Sequence, residues 1–275
     1  MKIASYNTFF SDLKLHGFEY ALAHTAALGY DGVEILYLSG RLASLDDAKR
    51  ARERFDAYGL DVVCYSVGVN LTPDSSAIAE AELRHHAALA SILGSPYLHH
   101  TLACALRKSD NAPAYDDIFD HVLQTARRVA DACAEQGLTC LYEPQGLYFN
   151  GIDGLGRFFT EIKRTHGNVG ICGDMGNSLF VGCDPVSVFA HFKDDIRHLH
   201  AKNFLITSQN DPDHKCFPLQ NGTWLCDVGF EQQGAVDLCG CLSALDKLPT
   251  AISIETDGTD EVIGAHIEYL RSITA

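Results

Sequence analysis

Eight short, β-compatible apolar runs alternate with amphipathic segments along the whole chain, and this repeat narrows the fold more than any other feature of the sequence. The strand signals fall at 3–8, 32–37, 61–66, 96–101, 138–143, 169–174, 196–202 and 251–255. Helical periodicity covers 17–29, 45–58, 76–93, 115–136, 152–166, 185–193, 235–246 and 260–273, with Ser44, Asp153 and Asp184 as capping residues. Leu28-Gly29-Tyr30-Asp31-Gly32-Val33-Glu34 shows the unit: a helix stops at glycine, a tight turn follows, and a buried strand begins. Eight such units predict an α/β fold, a closed (β/α)8 TIM barrel. An open doubly wound sheet is the rival, but no Gly-x-Gly-x-x-Gly follows the first strand.

The 275 residues, 47% of them hydrophobic, suffice for a single barrel domain over 1–275. No Pro/Ser-rich linker or low-complexity tract divides it. One stretch, about 203–233, is polar and rich in Asn, Asp, Pro and Gly without helical periodicity, and reads as a long loop insertion after the seventh strand. Met1 to Tyr6 reads as a strand, without the charged leader and apolar core of a signal peptide, and no apolar stretch has membrane-spanning length. The expected location is cytoplasmic, and ten scattered cysteines are expected to stay reduced. A net charge of −15 leaves no basic face for a nucleic-acid backbone and points to a small sugar-like or polyol partner, with homo-oligomerisation left open.

Four of the runs end in metal-type side chains: Tyr142-Glu143-Pro144, Gly173-Asp174-Met175-Gly176-Asn177, His198-Leu199-His200-Ala201-Lys202 and Ile254-Glu255-Thr256-Asp257. In a parallel sheet the carboxyl ends of neighbouring strands lie together, so residues distant in sequence can converge on one cation. Glu143 to Asp174 is 31 positions and Asp174 to His200 is 26, each about one βα unit, whereas His200 to Glu255 is 55, which accommodates the insertion.

The ordered set of these segments, with Gly234-Ala235-Val236-Asp237-Leu238 before the seventh helix, resembles the xylose isomerase-like barrels. These include sugar phosphate isomerases/epimerases, ketose 3-epimerases, inosose dehydratases and endonuclease IV. The resemblance implies that Glu143, Asp174, His200 and Glu255 hold one divalent metal. Three carboxylates and one imidazole independently suit a hard cation, manganese foremost, with magnesium, cobalt or zinc as alternatives. It further implies an isomerase or epimerase acting on a sugar or polyol ketone through an enediolate, with Glu143 and Glu255 moving the proton. A dehydratase using the same base is the nearest alternative. An endonuclease IV-like enzyme fits less well because Tyr65-Ser66-Val67 offers no histidine. A noncatalytic partner subunit is also compatible, because Phe149, Asn177, Ile206 and Gln232 stand where a ketose 3-epimerase would carry sugar-gripping Glu, His, Arg and Gly.

The remaining candidates follow from position. Lys202 shares the face of His200 and could supply charge or, with a lowered pKa, a proton. Alternation turns one of His99 and His100 toward the barrel mouth, where it could meet substrate, and leaves the other packed or solvated. Asn7 and Glu34, at strand ends, are candidates for holding hydroxyls. Asn177 either bonds a substrate oxygen or caps its turn. The insertion, with His214, Phe217 and Trp224, is a candidate lid or substrate wall, or else a decorated loop or dimer contact. His85 and His86 read as a surface pair on a helix.

Overall fold

The computed structural model describes residues 1–36, 44–103, 112–230 and 233–274. Tyr37 at the end of the expected second strand, and Gln232, lie outside the described residues. The barrel strands are β1 (Lys2–Ser5), β2 (Gly32–Leu36), β3 (Asp61–Val67), β4 (Tyr97–His100), β5 (Thr139–Tyr142), β6 (Val169–Asp174), β7 (Ile196–Ala201) and β11 (Ala251–Ile254). They pair in parallel in that order, and β11 closes on β1 with Ile3 opposite Ile252. The expected α/β barrel is the observed one.

Helices α2 (Phe18–Ala27), α3 (Leu45–Tyr58), α4 (Ser76–Leu93), α5 (Tyr115–Glu135), α6 (Gly151–Lys163), α7 (Pro185–His191), α8 (Leu238–Ser243) and α9 (Asp260–Ile273) surround the barrel at the predicted places. Their starts follow from capping chemistry. The Ser44 hydroxyl accepts from Asp47 N, and the Asp184 carboxylate accepts from Ser187 N under a proline at the first helical turn. Asp153 is not a cap: it lies inside the first turn of α6, and Asn150 caps that helix by accepting from Gly151 N.

One helix is additional to the expectation. Residues 3–8 read as a single strand, but β1 stops at Ser5 and α1 (Asn7–Leu15) begins, with the Ser5 hydroxyl accepting from Phe9 N at 3.0 Å. Phe9 and Leu13 bury the same face of this short helix, and a two-turn amphipathic segment gives too little periodicity to separate from a strand.

The stretch after β7 also gains order. It folds into β8 (Asn203–Thr207), β9 (Cys216–Pro218) and β10 (Trp224–Val228), an antiparallel sheet in the order β8-β10-β9. Cys216 and Cys226 are directly opposed on β9 and β10 and joined by a disulfide, so the expectation that all thiols stay reduced fails here. Strand pairing, invisible from residue spacing alone, brings these two side chains together. Cys64, Cys140 and Cys172 are free and buried, as expected of small core residues.

The main core lies between the barrel and its helices, and includes an aromatic chain in which Tyr142, Phe158 and Phe149 meet edge to face at 5.0 and 5.6 Å. Such pairs add about 0.5–1.5 kcal/mol each beyond area burial. Inside the barrel Ala4, Cys64, Leu141, Cys172 and Ala251 form a separate small apolar layer. Above it the inward positions turn polar. Among the described residues, no helix is long and apolar enough to cross a membrane.

His86 departs from the surface reading. His85 is exposed, but His86 is only 2% exposed and its Nδ1 lies 3.0 Å from the Tyr65 hydroxyl. Burial, reinforced by the His85 charge, pushes its pKa down to about 4. The unfolded chain therefore takes up this proton first as pH falls, so stability is lost from about pH 6.5 downward toward pH 4, by up to ~3 kcal/mol. His86→Gln, which keeps a hydrogen-bonding group but does not titrate, is expected to flatten this part of the stability profile. Urea unfolding of both proteins at pH 7 and 4.5 checks it, and equal losses in the two would contradict the assignment.

Candidate active site

The polar layer is assembled by strand alternation. His198, His200 and Lys202 point inward at alternate positions of β7 and its end, while Glu143, Asp174 and Glu255 stand at the carboxyl ends of β5, β6 and β11. Donor atoms of Glu143, Asp174, His200 and Glu255 all lie within 4.8 Å of one another. His200 Nδ1 is 3.2 Å from both Glu143 Oε1 and Glu255 Oε2, and 3.8 Å from Asp174 Oδ2.

The other face of the His200 ring sets its chemistry. Nε2 lies 2.9 Å from Glu34 Oε1, so an Nε2–H donating to that carboxylate leaves the Nδ1 lone pair aimed among the three carboxylates. Tyr6 stacks on the ring at 5.2 Å. Glu34 is therefore not a holder of substrate hydroxyls at a strand end. It lies mid-strand with no exposed surface, and its oxygens are taken by His200, His198 and Ser66. Burial opposes its charge, but His200 and His198 hold it well below the ordinary carboxylate range.

The two consecutive histidines separate as alternation requires. His99 points inward, with Nδ1 3.0 Å from Ser66 Oγ and Nε2 3.3 Å from Glu143 Oε2. Against the penalty of burial, Glu143 and Glu34 push its pKa up to about 9. It orients Glu143 from below and does not line the cavity. His100 points to the opposite side, packs edge-on against Tyr142 and bonds the Thr101 carbonyl, so it has no place in the site.

Above the carboxylates Lys202 Nζ is 2.8 Å from Asp174 Oδ2 and from Glu255 Oε2, and donates to Asn177 Oδ1 at 3.2 Å. Burial opposes its charge, yet Asp174 and Glu255 raise its pKa further, so a lowered-pKa proton donor is not what the geometry makes. Lys202 is a fixed positive charge. Asn177 Nδ2 donates to Glu143 Oε1, and its turn is capped by Asp174, whose Oδ1 accepts from Gly176 N and Asn177 N. The turn-capping role thus belongs to Asp174, while Asn177 links Glu143 to Lys202.

The donor set fits one divalent cation. Asp174 Oδ2 and Glu255 Oε2 are buried without a hydrogen bond, because Lys202 approaches both at ion-pair distance but off the hydrogen-bond direction. Burial, with the charges of Glu255 and Glu143, pushes the Asp174 carboxyl up to about 8 despite Lys202. The three carboxylates of this cluster outnumber the positive charges of Lys202 and of His200, whose pKa is raised against the penalty of burial, and a hard cation would relieve the excess.

The cluster opens into a cavity of about 290 Å³ lined on its deep side by Asn7, Asn177, Lys202 and Glu255. Its outer wall is Phe180, Phe204 and Phe217, with Gln145, Lys215 and Asp227 at the rim. Trp224 does not line it; Phe217 provides the aromatic surface expected of that tryptophan. Phe149 is packed in the core against Tyr115 and Phe158, and Ile206 is 54% exposed and not among the cavity residues. Sequence reasoning missed Gln145, Lys215 and Asp227. Alternation along Trp224-Leu225-Cys226-Asp227-Val228 was the available signal for the last, masked by the polar residues around it.

Residues 22–273 match the profile of the family described as Xylose isomerase-like TIM barrel. The chain belongs to that family. No curated protein matches it. Among solved structures it resembles D-allulose 3-epimerase from Methylomonas sp. (17% identity, 99% of this chain and 98% of that one, TM-score 0.75). It also resembles the probable 3-DHS dehydratase involved in petrobactin synthesis from Bacillus anthracis (16% identity, 98% and 99%, TM-score 0.75). A xylose isomerase-like TIM barrel protein from Mycobacterium smegmatis in complex with magnesium aligns at 17% identity over 99% and 96% of the two chains, with a TM-score of 0.74. At these identities the likeness establishes the fold alone.

Because Glu34 fixes the His200 ring, Glu34→Gln is expected to weaken binding of added Mn²⁺ by about 10–100-fold, while His100→Phe leaves it unchanged. Titration calorimetry of both variants checks the pair. Equal affinity in Glu34→Gln and the native protein would remove Glu34 from the site. The isosteric amide is preferred to alanine, since stripping one member from a buried charged cluster costs about 3–5 kcal/mol in stability.

Proposed function

We propose that the protein is a divalent-metal-dependent isomerase or epimerase of a sugar or related polyol ketone, acting by proton abstraction beside a carbonyl, with residues 1–275 working as one unit. The observation that carries this reading is the convergence of Glu143, Asp174, His200 and Glu255 within 4.8 Å at the floor of a polar cavity about 290 Å³ in volume. The four side chains would hold the cation, manganese by preference, with magnesium, cobalt and zinc also suited to the oxygen-rich set. When bound, it supplies electrophilic polarisation of a substrate carbonyl.

The chain's own residues then divide the work. Glu255 opens to the cavity, with 20% of its side chain exposed, and Lys202 and His200 hold its pKa below the ordinary value despite burial. It is a carboxylate at neutral pH and the side chain best placed to take a proton from a substrate in the cavity. Glu143, nearly buried and held by His99, His200 and Asn177, is the second carboxylate and approaches from the end of β5, with β6 and β7 between it and Glu255. Lys202 sits where negative charge develops on the substrate oxygens and, held protonated, stabilises it without transferring a proton. Asn7 presents its amide group to substrate hydroxyls at the deep side, while Asn177 holds Glu143 and Lys202 in place. The phenylalanine wall limits access of water.

Incubation of the Mn²⁺-loaded protein with a panel of ketoses, keto-inositols and keto-glycosides in deuterated water tests this function. Deuterium is expected to enter the carbon beside the carbonyl without loss of mass as water; expulsion of water would instead establish the dehydratase alternative. Glu255→Gln is expected to slow exchange at least ~100-fold and to lower metal content. Unchanged turnover together with unchanged metal content would sink both roles assigned to Glu255.

A further inference from the structure

The inserted sheet presents one face to the site and pins that face from behind. On β9 and β10, Cys216 and Cys226 are opposed and disulfide-bonded, and Phe217 is opposed to Leu225. Alternation places Lys215 and Phe217, and across from them Leu225 and Asp227, on the side opposite the disulfide. Lys215, Phe217 and Asp227 line the cavity, and Leu225 is fully buried beneath them. Asp227 N donates to the Lys215 carbonyl at 2.9 Å, which continues the ladder past the disulfide and sets the two charged side chains side by side. A one-residue slip would turn the whole set away from the cavity, and the cross-strand bond forbids it.

These side chains are uncommitted. Among the described residues, the Asp227 carboxylate and the Lys215 ammonium have no hydrogen-bond or ion-pair partner, although Asp227 is only half-exposed and sits against the same cavity as Glu255. Burial pushes the Asp227 carboxyl up to about 6 against the pull of Lys202. Phe217 lies under the Lys215 ammonium at 5.4 Å and packs edge to face with Phe180 at 5.6 Å. A carboxylate acceptor, an ammonium donor and an aromatic surface on one rigid face match the hydroxyls and C–H surface of a polyol.

We propose that this face is the specificity half of the site: Asp227 accepts hydrogen bonds from hydroxyls at the end of the substrate remote from the carboxylate cluster, Lys215 donates to a neighbouring hydroxyl, and Phe217 covers the carbon skeleton. The substrate is thereby a polyhydroxylated ketone whose remote end is uncharged, since Asp227 and Lys215, side by side, offset each other and offer a phosphate or carboxylate no net positive charge. This rests on the proposed function for the chelating end of the substrate and adds what is read at the other end.

The test compares a long and a short ligand. Titration calorimetry of the Mn²⁺-loaded native protein and its Asp227→Asn variant against a set of ketohexoses, fructose 6-phosphate and dihydroxyacetone separates the two ends. Asp227→Asn is expected to weaken the best-bound ketohexose at least tenfold, with Asp227→Glu partly restoring it, while dihydroxyacetone affinity stays within twofold. Equal effects on both ligands, no effect on the ketohexose, binding of dihydroxyacetone but no ketohexose, or tighter binding of fructose 6-phosphate than of fructose would each overturn the inference alone. Failure of the native protein to bind any of these ligands would overturn it together with the ketone-sugar function.

Discussion

The structure depends on how a barrel interior tolerates a column of charge. Glu34, fully buried at the middle of β2, accepts from His200 and His198, and His200 in turn faces Glu143, Asp174 and Glu255. An isolated carboxylate at that depth would cost several kcal/mol, so each is held by imidazole, amide or ammonium groups that other strands point into the same barrel interior. Only the closed parallel sheet brings those partners together, because His200 is opposite Asp174 on one neighbour and Ser253 on the other. The apolar layer of Ala4, Cys64, Leu141, Cys172 and Ala251 below fills the barrel and keeps water from entering from that end.

The same column divides the site by depth. Asp174 and His200 are 1% exposed and fixed by several partners, whereas Glu255 keeps a side exposed to the cavity. Lys202 is fastened between two carboxylates, which hold it protonated against the penalty of burial. The outer half is built differently: a three-stranded sheet, cross-linked behind, carries Phe217 toward the cavity together with Lys215 and Asp227, whose charged groups have no hydrogen-bond or ion-pair partner among the described residues. Pre-organised, unsatisfied polar groups discriminate among ligands most strongly, because a ligand that fails to pair them leaves them desolvated.

Much of this was legible in the chain. The eight strands, the eight major helices and the convergence of Glu143, Asp174, His200 and Glu255 at strand ends follow from periodicity, capping and spacing, which are local quantities. Helix α1 was hidden because two turns carry too little periodic signal, and β8 to β10 because antiparallel pairs with polar loops resemble plain insertion. His86 looked exposed beside His85, but the Tyr65 hydroxyl awaited it on the barrel strand. Glu34 and Asp227 were misjudged or missed for a common reason: a carboxylate in a strand has no local mark telling whether it faces a histidine, a cavity or water.

The sequence by itself determined the barrel, its order of elements, the residue types that converge at the strand ends and the family to which they point, since each is written in patterns a few to thirty residues long. The tertiary structure alone decided that Glu34 and His99 support the cluster from below, that His100 is turned away, that Phe217 rather than Trp224 walls the cavity, and that Asp227 and Lys215 reach it. Those outcomes depend on register and on which face of a strand meets which neighbour, and a single-residue shift in pairing would have reversed them.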